Sequence, residues 1–292
     1  DLVVTQIQLK RGFVACYATA NTLLLLGALR RRHGDATGPA TVGASAVHAA
    51  PLLFLGSLYA RRQGRTSEQL VLLRGAVAAG AVVSLHGRDG RLRRVFGAVI
   101  AGVLGTELYT RWYSRLGRRE SVDLAPGNRL PDDLAFAELD GATVTAAALR
   151  GRPAAMFFYR GNWCPLCMAQ VREMAGRWRE LQELGVDVVL VSPQNDEQTR
   201  QLAQRFDVAF RYLTDPGMAS ARRLGLVHEG GVPLGIPGYD PDTVFPTVLV
   251  VDANGTIVFS DQTDNYRVRP EPDTILAALR GAARVNGTAV PA

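Results

Sequence analysis

Phe158-Tyr159-Arg160-Gly161-Asn162-Trp163-Cys164-Pro165-Leu166-Cys167 is the stretch on which the fold turns. The chain enters it through Ala154-Ala155-Met156-Phe157-Phe158-Tyr159, a continuous apolar run of strand length. Such a run reads as a central strand covered on both faces. It leaves through Met168, Val171, Met174, Trp178 and Leu181, whose spacing predicts a helix over residues 164–184. Cys164 therefore stands at a helix N-terminus, where free N–H groups and the macrodipole favour a thiolate. Pro165 fits the first helical turn because its missing N–H costs nothing there. Cys167 follows three residues later on the same face, within reach of a disulfide. Exchange would run through a mixed disulfide at Cys164, resolved by Cys167.

Outward from this stretch the pattern alternates. Leu134–Leu139 reads as a strand closed by the Asp140-Gly141 turn, Val186–Val191 as a second buried strand, and Asp196–Phe206 as a helix. Phe210–Leu213 is a short strand and Gly217–Leu224 a helix. Thr247–Val251, the turn Asp252-Ala253-Asn254-Gly255 and Thr256–Ser260 make a hairpin, and Asp273–Leu279 opens a closing helix. Residues 121–292 are thus expected to form an α/β domain with a mixed central sheet flanked by helices. Gly230 to Gly238 is a Gly/Pro-rich loop, read as rimming the site and too irregular for a phosphate cradle.

The chain holds three cysteines, Cys16, Cys164 and Cys167, which is chemistry and not a stapling framework. A zinc half-site is the other reading of C-x-x-C. Zinc needs four ligands, no second C-x-x-C exists, and His33, His48, His86 and His228 lie far off in sequence. No metal and no cofactor are expected.

The ten-residue stretch resembles the active-site segment of thioredoxin-like proteins, in particular the redoxin and peroxiredoxin-like group related to alkyl hydroperoxide reductase. Gly127 to Asp132 and Ser192-Pro193-Gln194 look like the same group, and the resemblance covers about residues 122–285. It implies a thioredoxin-like fold. It also implies that Phe245-Pro246-Thr247 is a cis-proline segment facing the cysteines, with Pro246 and Trp163 in the site and Phe245, Thr247 and Arg160 beside the substrate. An ordinary strand-start proline is the alternative for Pro246, and a surface strand-end residue the alternative for Arg160. Two departures stand out. Peroxidatic sites carry a threonine three residues before the cysteine, and here that residue is Gly161. The buried carboxylate of thioredoxins has no clear counterpart, since Glu173 reads as a solvated helix residue.

The first 120 residues have another character, and no family resemblance is seen there. They carry 17 Lys/Arg against 6 Asp/Glu, while residues 121–292 carry 16 against 21. Four apolar runs, over 12–29, 40–60, 70–86 and 95–110, are separated by arginines. They are expected to form an all-α, transmembrane N-terminal domain, the first two being long enough to span. Arg74 would snorkel to the interface, and Glu107 sits by the aromatic belt of Tyr109, Trp112 and Tyr113. A soluble helical domain is the alternative. A signal sequence fits less well, because Arg31 stands where a small-residue cleavage site belongs. Interrupted by these runs, the basic clusters exclude a nucleic-acid partner. With four spans, nine cations against seven place both termini in the cytoplasm of a bacterial inner-membrane protein. Cys16 reads as a buried thiol.

The function expected is membrane-anchored thiol–disulfide exchange with a protein dithiol or disulfide partner. The alternatives are a peroxiredoxin-like peroxidase using a hydroperoxide and a thiol reductant, and a redox sensor of a membrane protein.

Overall fold

The computed structural model describes residues 2–32, 38–85, 92–117, 121–206 and 208–285. Its chain divides into two units: Asp1–Arg61, Thr66–Arg115 and Pro233–Gly235; and Arg62–Arg65, Leu116–Val232 and Ile236–Ala292.

The first unit holds α1 (Leu2–Arg32), α2 (Pro39–Ala60), α3 (Val71–Leu85) and α4 (Leu92–Leu108), the last continued by one π-helical turn, Tyr109–Tyr113. Each apolar run is helical, and α1 begins ten residues earlier than the run suggests. Residue 86 lies outside the described residues. Two helices, over Gln6–Arg30 and Pro39–Ala60, are long and apolar enough to cross a membrane. Glycines bring the helices together: a Cβ at Gly43 would collide with the Gly80 carbonyl, and one at Gly102 with Val47. The interior is partly polar. The buried His48 Nδ1 lies 2.9 Å from Asn21 Oδ1, and Tyr17 Oη 2.8 Å from Thr106 Oγ1. The surface is apolar, with Leu23, Leu53, Val71 and Leu72 exposed. Two expectations are corrected here. Arg74 is paired, its Nε donating to Glu107 Oε1 at 2.6 Å, because α3 and α4 pack together. Cys16 is exposed, because it lies on the outer face of α1 and Tyr17 takes the inner one.

The second unit is built on a seven-stranded sheet. Its strands are β1 (Ala135–Ala137), β2 (Thr143–Thr145), β3 (Ala154–Phe158), β4 (Asp187–Ser192), β5 (Arg211–Thr214), β8 (Thr247–Val251) and β9 (Ile257–Asp261). A separate two-stranded ribbon joins β6 (Val227–His228) and β7 (Thr243–Val244). Sheet order is β2-β1-β5-β4-β3-β8-β9. β3 runs parallel to β4 and antiparallel to β8, and every β3 residue is buried. This is the mixed sheet, flanked by helices, of a thioredoxin-like fold. The helices are α5 (Pro165–Ala175), α6 (Trp178–Glu183), α7 (Asp196–Arg205), α8 (Ala219–Arg223) and α9 (Pro272–Val285).

Helix boundaries follow local chemistry. The expected single helix over 164–184 breaks at Gly176-Arg177, where a poor helix former closes α5. α6 restarts at Trp178, whose ring packs edge-on to Phe210 at 5.6 Å. The expected helix over 217–224 shortens to α8 because Gly217 (φ 64°) and Met218 (φ 55°) are left-handed. α7 is opened by a capping box between Asn195 and Gln198. β2 pairs with β1 across Asp140-Gly141 and was not expected.

Candidate active site

The central strand delivers the cysteines. β3 ends at Phe158, and the turn over 159–163 leads into α5, with Cys164 as its N-cap and Pro165 at its first position. Cys164 and Cys167 form a disulfide, their Cα atoms 5.3 Å apart. The Cys167 backbone N–H donates to Cys164 Sγ at 3.3 Å, so one free donor of the first turn is satisfied by that sulfur. Both cysteines are buried, whereas Trp163 and Pro165 are partly exposed beside them.

Two buried side chains hold the turn. Gln194 follows β4, the strand next to β3. Its Oε1 accepts the Asn162 N–H at 2.9 Å, while its Nε2 donates to Tyr159 Oη at 3.0 Å, Asn162 Oδ1 at 3.1 Å and Thr199 Oγ1 at 3.2 Å. Burial pushes the Tyr159 phenol well above its ordinary value, so it serves here as a neutral hydroxyl. The second is Arg160. It is buried and not a surface strand-end residue; its guanidinium stacks on Trp163 at 4.7 Å and Tyr266 at 5.5 Å and donates to the Gly231 carbonyl. The Arg160 carbonyl accepts from Thr243 Oγ1 at 2.7 Å. Gln194→Leu keeps the volume and removes the amide. The part-buried Asn162 N–H then loses its acceptor, and a buried group left so costs about 1–3 kcal/mol. The expected loss for the redox unit is about 2 kcal/mol, read by chemical denaturation; a loss below roughly 0.5 kcal/mol would show that the amide does not hold the turn.

The Phe245-Pro246-Thr247 segment lies at the same end of the sheet, since Thr247 is the register partner of Phe158. The expectation of a cis-proline is corrected: every peptide bond among the described residues is trans. Pro246 lies between β7 and β8, and the Phe245 N–H before it donates to the Leu226 carbonyl at 2.7 Å. Phe245 stacks on His228 at 4.6 Å, Pro246 and Thr247 are buried, and Thr247 Oγ1 donates to the Phe245 carbonyl at 3.2 Å. Glu173 is not solvated: it accepts from Arg65 Nη1 at 3.0 Å and the Gly64 N–H at 3.2 Å.

A cavity of about 430 Å³ adjoins this turn, with Arg160, Gln194, Gln198, Tyr239, Asp240 and Asp242 on its walls. Part of the Gly/Pro-rich loop thus does rim it, through Val232 and Gly238. The sequence reading missed Arg269. This residue is 6 % exposed, and its Nη2 lies 3.6 Å from Cys167 Sγ. Only an Arg-x-Arg pair ahead of Pro270 marks it in sequence, and that pattern carries no fold signal.

Residues 126–260 match the model of the AhpC/TSA family. The chain is similar to peroxiredoxin Q of Gentiana triflora, 23% identical over 128 residues, which are 44% of this chain and 55% of that one. It is also similar to the thiol-disulfide oxidoreductase ResA of Halalkalibacterium halodurans, 24% identical over 163 residues, 55% of this chain and 79% of that one. Among solved structures, AhpC of Enterococcus faecalis aligns with a TM-score of 0.45 at 17% identity, over 56% of this chain and 94% of that one. The chain thus spans about half the length of the Gentiana relative. The segment that contains both cysteines, residues 126–260, is an AhpC/TSA family domain with a thioredoxin-like fold.

Proposed function

We propose that this chain is a membrane-anchored oxidoreductase that exchanges disulfides with a protein partner through Cys164 and Cys167. The observation that carries the reading is the pair itself, one sulfur capping α5 and the other three residues on, already bridged. In the reduced form Cys164 attacks a partner disulfide, and the resulting mixed disulfide is opened by Cys167. Trp163 and Arg160 form the wall next to the nucleophile, and Pro246 with Thr247 lines the neighbouring strand end. The anchor is the four-helix unit, whose apolar surface and polar interior suit lipid. The loop cations favour a redox domain on the cytoplasmic side.

A peroxidase reading draws on the AhpC/TSA match and on relatives named peroxiredoxin Q. Gly161 weighs against it. The residue has a φ of 132°, and a Cβ there would meet the Trp163 ring at 2.9 Å. The two readings separate in one assay of the full chain in detergent. With a dithiol donor, turnover of an insulin-type disulfide is expected, while hydroperoxide is consumed no faster than by the donor alone. Saturable peroxide consumption without disulfide reduction would overturn the proposal.

A further inference from the structure

The cavity of about 430 Å³ beside the turn into α5 has no part in the sulfur chemistry described above. Its place follows from the sheet. β3, β4 and β5 run parallel, and the turns that leave their carboxyl ends bring Arg160, Gln194 and Met218 to its walls. The connection between β6 and β7 supplies the opposite wall, with Tyr239, Asp240 and Asp242. That wall is tied down. Gln198 Nε2 of α7 donates to the Gly238 carbonyl at 2.7 Å, the Gly230 N–H to Asp242 Oδ1 at 2.7 Å, and the Val232 N–H to the Pro241 carbonyl at 2.9 Å. The cavity is therefore preformed, and its volume lies in the range of sites that enclose a ligand.

The charges on its walls are unequally engaged. Arg160 is turned to the protein, stacked on Trp163 and Tyr266 and donating to the Gly231 carbonyl. The Gln194 amide is committed to the turn. The two carboxylates differ. Among the described residues neither Asp240 nor Asp242 is in an ion pair, and Asp242 accepts the Gly230 N–H alone. Arg200 of α7 is bonded elsewhere, to the Leu139 carbonyl at 2.9 Å. Asp240 is exposed and Asp242 half-buried, which sets negative charge at the open side. Residues 121–292 carry 21 acidic residues against 16 basic ones, so the field at longer range has the same sign. An aromatic path joins this charge to the nucleophile. The Tyr239 ring meets Trp163 edge-on at 6.5 Å, and Trp163 precedes Cys164.

We infer that the cavity docks a basic side chain of the partner protein, a lysine or arginine close in sequence to the cysteine that Cys164 attacks. An extended chain advances about 3.3 Å per residue. A partner segment with its sulfur on Cys164 thus passes Trp163 and brings a residue about two or three places away to Tyr239. The apolar stem of that side chain lies along Tyr239 and Met218, and its cation meets Asp240 and Asp242. The choice of occupant rests on the exchange reading. The cavity itself makes and breaks no covalent bond; it binds and orients. Charges at the rim of an interface act in this way on association rate and specificity.

The full chain in detergent is given short peptides, each with one cysteine in disulfide linkage to a chromophoric thiol. They differ only in the residues two and three places to either side of the cysteine, which are arginine, alanine or glutamate. Release of the chromophore is expected to be about five- to tenfold higher in kcat/KM for the arginine peptide than for the alanine peptide, the gain lying in KM, and lower still for glutamate. Raised salt should shrink the difference. Asp240→Asn with Asp242→Asn keeps an oxygen for the Gly230 N–H and removes both charges, and the three peptides should then agree within about twofold. Asp240→Lys, at an exposed position, should shift the preference toward glutamate. Equal turnover of the three peptides by the parent, a parent that favours glutamate, or a preference that survives in the double Asn variant overturns the inference. Binding is read apart from exchange, by fluorescence anisotropy of labelled peptides with serine in place of cysteine. Equal binding of these peptides overturns the docking site whatever the turnover. Tighter binding of the arginine peptide with no turnover of any peptide overturns the exchange reading and supports the docking site.

Discussion

Cys164→Ser lowers disulfide exchange by about a thousandfold or more, whereas Cys167→Ser leaves a protein that reacts once and stops. The two sulfurs differ in place, so the two losses differ in kind. Cys164 caps α5 and receives the Cys167 N–H at 3.3 Å, so its thiolate has a donor waiting at the helix start. A serine in that place keeps the geometry and loses the nucleophile, because a hydroxyl is scarcely ionised at neutral pH and a thiol is a few per cent thiolate even unassisted. Cys167→Ser removes the group that opens the mixed disulfide, so the partner stays bound to Cys164. Non-reducing electrophoresis of the full chain after incubation with a disulfide-bonded protein reads both outcomes. Cys167→Ser should shift to the mass of the adduct and return with dithiothreitol, and Cys164→Ser should not shift. An adduct forming on Cys167 in the Cys164→Ser chain would exchange the two roles.

Much of this arrangement is written locally in the sequence, and the reasons are physical. Met156-Phe157-Phe158 must be covered on both faces, which makes β3 central and puts whatever follows it at the carboxyl end of the sheet. Trp163-Cys164-Pro165 then states a helix start in three residues. What the sequence hides is held by contacts between distant residues. Gln194 lies 32 residues from Asn162, and Arg269 lies 102 residues from Cys167, so neither reveals its partner through spacing. Arg160 and Arg269 also invert the usual expectation that arginine is exposed. Pro246 shows the limit of resemblance. The likeness to redoxins implied a cis bond there, but the peptide bonds of the described residues are trans, and Phe245 is tied to Leu226 through its N–H.

Gly161→Thr is the sharpest test of what this site excludes. Threonine at this position is one of the two residues that the peroxidatic pattern asks for ahead of the cysteine, so the substitution supplies it while Phe157 still stands in the place of the proline. The backbone refuses it. A φ of 132° is open to glycine and strained for a β-branched residue, at about 1–3 kcal/mol. The added Cβ would also lie 2.9 Å from Cδ1 and Nε1 of Trp163 and 3.1 Å from Cε1 of Tyr239. Both rings belong to the wall that Arg160 braces, so relief of the clash must move Trp163, the residue before the nucleophile. Displacement of a reacting group by about 1 Å can cost on the order of a hundredfold in rate. The expected result is a roughly hundredfold fall in exchange and a melting point for the redox unit lowered by about 4–10 °C. No gain in peroxide consumption should accompany it. Gly161→Ala meets the same φ and the same Cβ contacts without the branch, and should fall between the parent and the threonine variant in both measurements. A threonine variant that melts with the parent and turns over hydroperoxide would mean that the glycine conformation is not required and that the turn before Cys164 can hold a peroxidatic geometry.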